Sequence, residues 1–364
     1  MKMKILYDHQ AFTIQEYGGI SRYFYELSRQ FEATSELSVS SSLLFSNNEY
    51  IKKDKTIRST PFFKSIKLQR KIETMNLINE VKSKVFYKRN NFDLFHPTYY
   101  DPYYLGITSK KPIVITFHDL IHEKFKQYDN RTLANKKKVL SRADKIIAVS
   151  QCSKNDLVEY YDIPQDRVTV IHLASSINVS TTTPTPPSDK DYLLYVGSRN
   201  HYKNFMFFVS AIAPLLLKQC NLRLYCIGGG KFSKVERALF HELGIEQKVI
   251  FQEGTDENLK KYYANAIAFF FPSIYEGFGI PLLEAMNCGC PIGASLTSSL
   301  PEVAGNAALY FDPLDKDSIL SVAETLVSNQ TIRASLIQKG FLRAREFSWQ
   351  KTARLTHDVY SKLM

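Results

Sequence analysis

The chain has 364 residues, 44% of them hydrophobic, enough for a sizeable core and comfortable for two domains of about 150–200 residues each. No apolar run approaches the roughly 18 residues that span a bilayer, and the apolar stretch in the opening MKMKILYDHQ is too short for a signal peptide. Five scattered cysteines, at 152, 220, 226, 288 and 290, form no CxxC pair, which argues against a zinc site at Cys288-x-Cys290 and for a reducing interior; the net charge is +11.

In chain order, strand and helix patterns alternate from end to end, the signature of parallel α/β sheets. A first strand is predicted over 4–7, and Gly18-Gly19 leads into a helix through about residue 31. The segment 52–89 follows a predicted strand over 37–45. It carries twelve Lys and Arg against Asp54, Glu73 and Glu80, most of the chain's whole excess. Leu68, Ile72, Met75, Ile78, Val81 and Val85 recur there at helical intervals, so the spacing predicts a basic amphipathic helix with its apolar stripe in the core. Such a helix suits an anionic membrane surface, and no recognised motif points to nucleic acid. Strands over 92–95, 113–117 and 145–149 and helices over about 131–142 and 153–161 complete the first half. Apolar periodicity then stops in SSINVSTTTPTPPSDK, 175–190, whose Ser, Thr and Pro content marks a linker. We therefore expect domains over 1–175 and 191–346, a linker over 176–190, and a terminal helix over 347–364.

The second half repeats the alternation: strands over 192–196, 222–227, 249–251 and 268–271, and helices over 204–217, 231–243, 256–265 and 280–287. Four pieces of sequence carry chemistry. In SIYEGFGIPLLEAMNCGCP two carboxylates, Glu276 and Glu284, flank a Gly-Phe-Gly turn at a helix start. Backbone N–H groups there, at Phe278, Gly279 and Ile280, suit a phosphorylated ligand that also bears hydroxyls. In GSRNHYKN, after the first strand of this half, Arg199 and Lys203 lie four apart, as cations that hold a diphosphate would. EYGGISRY offers the Gly18-Gly19 N–H groups, with Arg22 as an acceptor or phosphate contact. TFHDLIHEKF puts His118-Asp119 at a strand end, where ligands of open α/β sheets bind; Asp119 is placed to orient the ring. Reading His118, Asp119 and His122 as metal ligands needs a helix that the strand context denies. Asp189-Lys190-Asp191 and Asp315-Lys316-Asp317 both read Asp-x-Asp, but one falls in the linker and the other in a polar turn before a helix.

The run from Ser273 to Gly305, with GSRNHYKN and YGGISRY, resembles the signature of retaining glycosyltransferases of family 4, and the likeness is strongest from Gly197 to Pro313. FHPTYY, HDL and VSQCSKNDL are similar to bacterial mannosyltransferase-like members that build surface polysaccharides. VIHLASSIN departs from the Asn-Gly turn that many relatives have before the linker. The resemblance implies a GT-B fold, two Rossmann-like domains facing a central cleft, with the terminal helix crossing back to the first. It implies Glu284 on the ribose hydroxyls, Glu276 on the donor sugar, Arg199 and Lys203 on the departing diphosphate, and Gly18, Gly19 and His118 near phosphate and sugar. No cofactor and no metal are expected, since the two cations take the metal's electrostatic part. The implied donor is GDP-mannose or another nucleotide-diphosphate sugar. The implied acceptor is a glycan or lipid-linked oligosaccharide at the inner face of the cytoplasmic membrane, with the enzyme cytoplasmic and peripheral. The rivals are another GT-B enzyme, such as an epimerase that would act without acceptor or a phosphorylase, and a noncatalytic sugar-nucleotide or membrane-binding subunit. Turnover by the purified protein separates them.

Overall fold

The computed structural model describes residues 2–34, 37–52, 57–63, 70–125, 130–177, 191–199, 201–254 and 256–364. Most of the linker expected over 176–190, including Asp189 and Lys190, lies outside them, as do Lys53, Asp54, Lys55, Lys64, Lys67 and Leu68 of the basic segment. The chain divides into two compact units: Met1–Leu173 with Trp349–Met364, and Ala174–Ser348.

Among the described residues the first unit holds six short parallel strands, β1 (Met3–Tyr7), β2 (Leu37–Ser41), β3 (Leu94–His96), β4 (Val114–Phe117), β5 (Lys145–Ala148) and β6 (Val168–Val170). They form two three-stranded sheets, β2-β1-β3 and β4-β5-β6, and a single parallel bridge, Phe95 to Ile113, sets β3 beside the start of β4. Ile5, Leu6 and Tyr7 of β1 and all four residues of β4 are buried, as strands covered on both faces require. The terminal helix, Trp349–Ser361, packs on the helix Gly19–Glu32. Its apolar contacts are reinforced by a buried polar chain. The Tyr360 hydroxyl is 2.6 Å from His96 Nδ1 and 3.2 Å from the Tyr7 hydroxyl, while His96 Nε2 is 2.9 Å from Thr116 Oγ1, which also meets the Tyr23 hydroxyl. Every polar atom named there has a partner, the condition under which buried polar groups are tolerated.

The basic segment corrects one expectation. A helix does form over Lys71–Arg89, but the stripe it buries is Met75, Asn79, Ser83 and Tyr87. Asn79 explains the choice: its side chain accepts from the Leu44 and Phe45 N–H groups and donates to Thr13 Oγ1 and the Phe45 carbonyl, bonds that only a buried position offers. Among the described residues of the expected apolar stripe only Met75 is buried, whereas Ile72, Val81 and Val85 are exposed, as is Leu77. Among the described residues no helix is long and apolar enough to cross a membrane.

The second unit is built on one six-stranded parallel sheet: β7 (Tyr192–Val196), β8 (Arg223–Ile227), β9 (Val249–Gln252), β10 (Ala268–Phe271), β11 (Ile292–Ser295) and β12 (Leu309–Phe311). The order is β12-β11-β10-β7-β8-β9. The chain starts in the middle, runs outward to β9, then returns to the other side of β7. The direction of winding therefore reverses between β7 and β10, the place where open α/β sheets leave a crevice outside the strands' carboxyl ends. One core joins β7, β8 and β10 to the helix Phe205–Lys218, with Leu193, Tyr195, Phe208, Ile212, Leu224 and Phe270 buried within it.

Candidate donor-sugar site

The two loops that leave β7 and β10 meet at this reversal. The Ile274 N–H donates to the Tyr202 carbonyl at 2.8 Å. Beside that bond Lys203 Nζ stands 2.5 Å from Glu276 Oε1. Both side chains are largely shielded from solvent, and the ammonium also lies 5.4 Å from the centre of the Phe271 ring. A cation and a carboxylate held together above the strand ends can address, respectively, a leaving phosphate and a sugar hydroxyl.

A third loop, after β11, fixes the Glu276 backbone. Ser298 Oγ accepts the Glu276 N–H at 3.0 Å, and Ser299 Oγ is 2.9 Å from the carbonyl oxygens of both Glu276 and Phe278. Gly279 then opens the helix Ile280–Asn287 at φ +102°, a conformation that glycine adopts readily. A Cβ there would sit 3.0 Å from Leu300 and 3.3 Å from Leu282 and Phe271. Gly279→Ala is thus expected to destabilise this loop by about 1–3 kcal/mol. Urea denaturation of the variant checks the value, and a wild-type midpoint would contradict it. Glu284, in the second turn of the same helix, is buried and accepts from the Tyr263 hydroxyl at 3.3 Å. Ser273, at the carboxyl end of β10, has a buried hydroxyl that meets no partner among the described residues.

In the first unit His118 follows β4. Its ring packs edge-on against Tyr23, and its Nε2 is buried without a partner among the described residues. Burial pushes its pKa down to about 4, with Asp119 opposing and Lys136 adding to the shift, so the ring is neutral. Asp119 Oδ1 accepts the Ile121 N–H, which makes its carboxylate a local turn former. Beneath this turn Lys136, almost fully buried, donates to the Asp119 carbonyl at 2.7 Å and pairs with Glu123 at 2.9 Å. Gly18 is extended, at φ 173°, before the helix Gly19–Glu32. The Gln15 side-chain oxygen accepts the Ser21 N–H at 3.0 Å and fills the space where a Gly18 Cβ would go. Arg22 lies over the Tyr50 ring at 4.7 Å.

Residues 17–174 match the family model described as Glycosyltransferase Family 4, and residues 182–343 match that of Glycosyl transferases group 1. The O-antigen chain mannosyltransferase B of Escherichia coli is 31% identical over 292 residues, 74% of each chain. The chain belongs to glycosyltransferase family 4. As a member of that family it is a glycosyltransferase with the GT-B fold, built from two Rossmann-like units and acting on a nucleotide-sugar donor. Solved structures agree on the fold. Sucrose-phosphate synthase from Thermosynechococcus elongatus superposes with a TM-score of 0.81 at 20% identity, over 100% of this chain and 99% of its own. Anabaena Alr3699/HepE, in complex with UDP and glucose, gives 0.77 at 16% identity, over 99% and 100%.

Within this glycosyltransferase, the two cations of the GSRNHYKN loop have different partners. Arg199 does not join Lys203 at the Glu276 carboxylate. Its Nε donates to Glu236 at 2.5 Å, its Nη1 to the Gly228 carbonyl at 2.8 Å, and its Nη2 to the Gly229, Gly230 and Lys231 carbonyls at 2.7–3.3 Å. The guanidinium's planar fork suits converging carbonyls better than the point charge of an ammonium does. Burial raises the Glu236 carboxyl, but the Ser233 hydrogen bonds and Arg199 outweigh it and hold its pKa below the usual carboxylate range. The Asp315-Lys316-Asp317 motif caps a helix: Asp315 accepts the Asp317 and Ser318 N–H groups. Among the described residues no cluster of three or more His, Cys, Asp or Glu is placed to hold a metal ion.

Ser298, Ser299, Tyr263 and Glu236 were not expected at the site from the sequence. Only Glu236 left a local signal, the Ser233-x-x-Glu236 spacing of a capping box, which the structure forms.

Proposed function

We propose that the glycosyltransferase moves a mannosyl residue, with retention of configuration and without metal, from GDP-mannose to a growing, lipid-linked bacterial surface glycan. The observation that carries the reading is the Lys203–Glu276 pair set above the β7/β10 reversal, with Glu284 on the adjoining helix. The mannosyl and glycan parts are supported by the name of the Escherichia coli relative, an O-antigen chain mannosyltransferase. The UDP and glucose in the HepE structure support a nucleotide-sugar ligand at such a fold.

In this reading Glu284 accepts the ribose hydroxyls, and the N–H groups of Phe278, Gly279 and Ile280 face the sugar and diphosphate. Lys203 stabilises negative charge on the departing diphosphate, while Glu276 holds the donor sugar's hydroxyls. Gly18 and Gly19 offer N–H groups to phosphate, and Arg22 serves as an acceptor or phosphate contact. The neutral His118 offers its unpaired Nε2 to a hydroxyl of the transferred sugar. Incubating purified protein with GDP-mannose, a lipid-linked acceptor and EDTA tests the whole. An α-linked product, assigned by proton NMR, is expected. Donor consumption without acceptor, or no turnover in the presence of added metal as well, would contradict it.

The same reading places the enzyme at the inner face of the cytoplasmic membrane. The solvent side of the Lys71–Arg89 helix carries the exposed ridge Leu77, Val81 and Val85, with Lys84 and Lys88 beside it. Apolar side chains that enter the headgroup region between basic residues, each worth about 1 kcal/mol at an anionic surface, suit an interfacial helix. Replacing Leu77, Val81, Lys84 and Lys88 by Ser and Gln is expected to abolish sedimentation with phosphatidylglycerol vesicles and to spare nucleotide binding. Unchanged sedimentation would sink the membrane assignment.

A further inference from the structure

Gly228, Gly229 and Gly230 follow β8 with φ values of +85°, +70° and +75°. Three left-handed residues in a row turn their carbonyls to one side, and here those of residues 228–231 all converge on the Arg199 guanidinium. The N–H groups of such a turn point the opposite way. Gly229 and Gly230 are exposed, and their N–H groups meet no acceptor among the described residues. The turn also leans on the loop after β7. A Cβ at Gly228 would lie 3.4 Å from the Gly197 carbonyl oxygen, and one at Gly229 would lie 3.1 Å from it and 2.8 Å from Arg199. Glu236 closes the arrangement from below, with one carboxylate oxygen on Arg199 and the other on the Ser233 N–H. Phe205 and Phe232 cover the guanidinium, and its side chain is only 5% exposed.

We propose that Arg199 is a positioning residue: with Glu236 it shapes the Gly228–Gly230 turn into one wall of the donor-nucleotide site, and the turn's outward N–H groups hydrogen-bond the nucleotide's oxygen atoms. The proposal rests on the donor-site reading above. It assigns the turn a ligand and takes Arg199 away from the diphosphate, because all three of its nitrogens are engaged by the carbonyls and Glu236, and Phe205 and Phe232 cover the guanidinium. A fork shared among four carbonyls and a carboxylate is not reproduced by an ammonium, so lysine at 199 cannot stand in for it.

The test measures GDP and UDP affinity by calorimetry for the wild type, Glu284→Ala, Arg199→Lys, Glu236→Gln, the Arg199→Lys/Glu236→Gln pair and Gly229→Ala. Loss of binding in Glu284→Ala confirms the donor site independently of the proposal, and unchanged binding there faults that reading instead. With the site confirmed, Arg199→Lys and Glu236→Gln are each expected to weaken the nucleotide about tenfold, the scale of a coupled network, and the pair no further than either alone. Gly229→Ala, whose Cβ presses on Arg199 and on the Gly197 carbonyl and so disturbs the turn without removing either charge, is expected to match them, so the result does not depend on how well an Arg199 variant folds. KM for the donor should rise with little change in kcat. Wild-type affinity in Glu236→Gln and Gly229→Ala, with a fall in kcat confined to Arg199→Lys, would return Arg199 to the leaving group and overturn the proposal.

Discussion

Lys203→Met is expected to lower kcat by about a hundred- to a thousandfold, the usual cost of removing one preorganised charge from a developing oxyanion. Lys203 is the cation that the structure leaves beside the Glu276 carboxylate, since Arg199 is committed to the glycine turn. The same substitution has a second effect. Glu276 is buried, and without its partner its charge is uncompensated, so the folded state should lose up to about 3 kcal/mol. The double variant Lys203→Met/Glu276→Gln separates the two effects. It removes both charges, so stability should return close to the wild-type value while kcat stays at or below that of Lys203→Met. Urea midpoints and initial rates on the three proteins check this. Recovery of activity with stability would mean that Lys203 serves only to neutralise Glu276.

Acid is expected to unfold the first unit well above the carboxylate range. Burial lowers His96 to about 3 and His118 to about 4, and it lowers His9 as well. The unfolded chain takes up protons at these side chains below about pH 6.5, whereas the folded chain does not, so stability falls as pH falls through that value. At pH 5 His96 and His118 should each cost about 2 kcal/mol relative to pH 7.5, a large share of an ordinary domain's stability. Trp349 is the chain's single tryptophan and belongs to the first unit, where it packs near Tyr23, so its fluorescence reports on that unit. His96→Gln should remove about 2 kcal/mol of the loss between pH 7.5 and 5. An equal loss in the variant and the wild type would contradict the assignment.

Much of the second unit was legible because its motifs are local. The alternation that names β7, β8, β9 and β10 is carried by short apolar runs, and the Gly-Phe-Gly turn and Glu284 sit within one helix start. The pairing of Lys203 with Glu276 is another matter. They are 73 residues apart, and only the reversal of strand order brings them together. Arg199 shows the opposite limit: its position after β7 was readable, but the carbonyls that claim it come from a turn some 30 residues later. Strands β6 and β12, three residues each, were not expected from the sequence. The Lys71–Arg89 helix misled for a physical reason. Its apolar periodicity is real, but Asn79 and Ser83 bury on the other face, since their hydrogen bonds to Phe45, Thr13, His9 and Ser42 are available only there.

The account stands or falls on nucleotide binding at the β7/β10 reversal. Thermal unfolding with GDP, UDP and dTDP, without metal, on the wild type and Glu284→Ala tests it most directly. A nucleotide at about 100 times its dissociation constant adds roughly 2.7 kcal/mol to the folded state. The account predicts a stabilisation of that size with one nucleotide, GDP first, and its loss in Glu284→Ala. No stabilisation by any of the three, or an equal one in the variant, would contradict it.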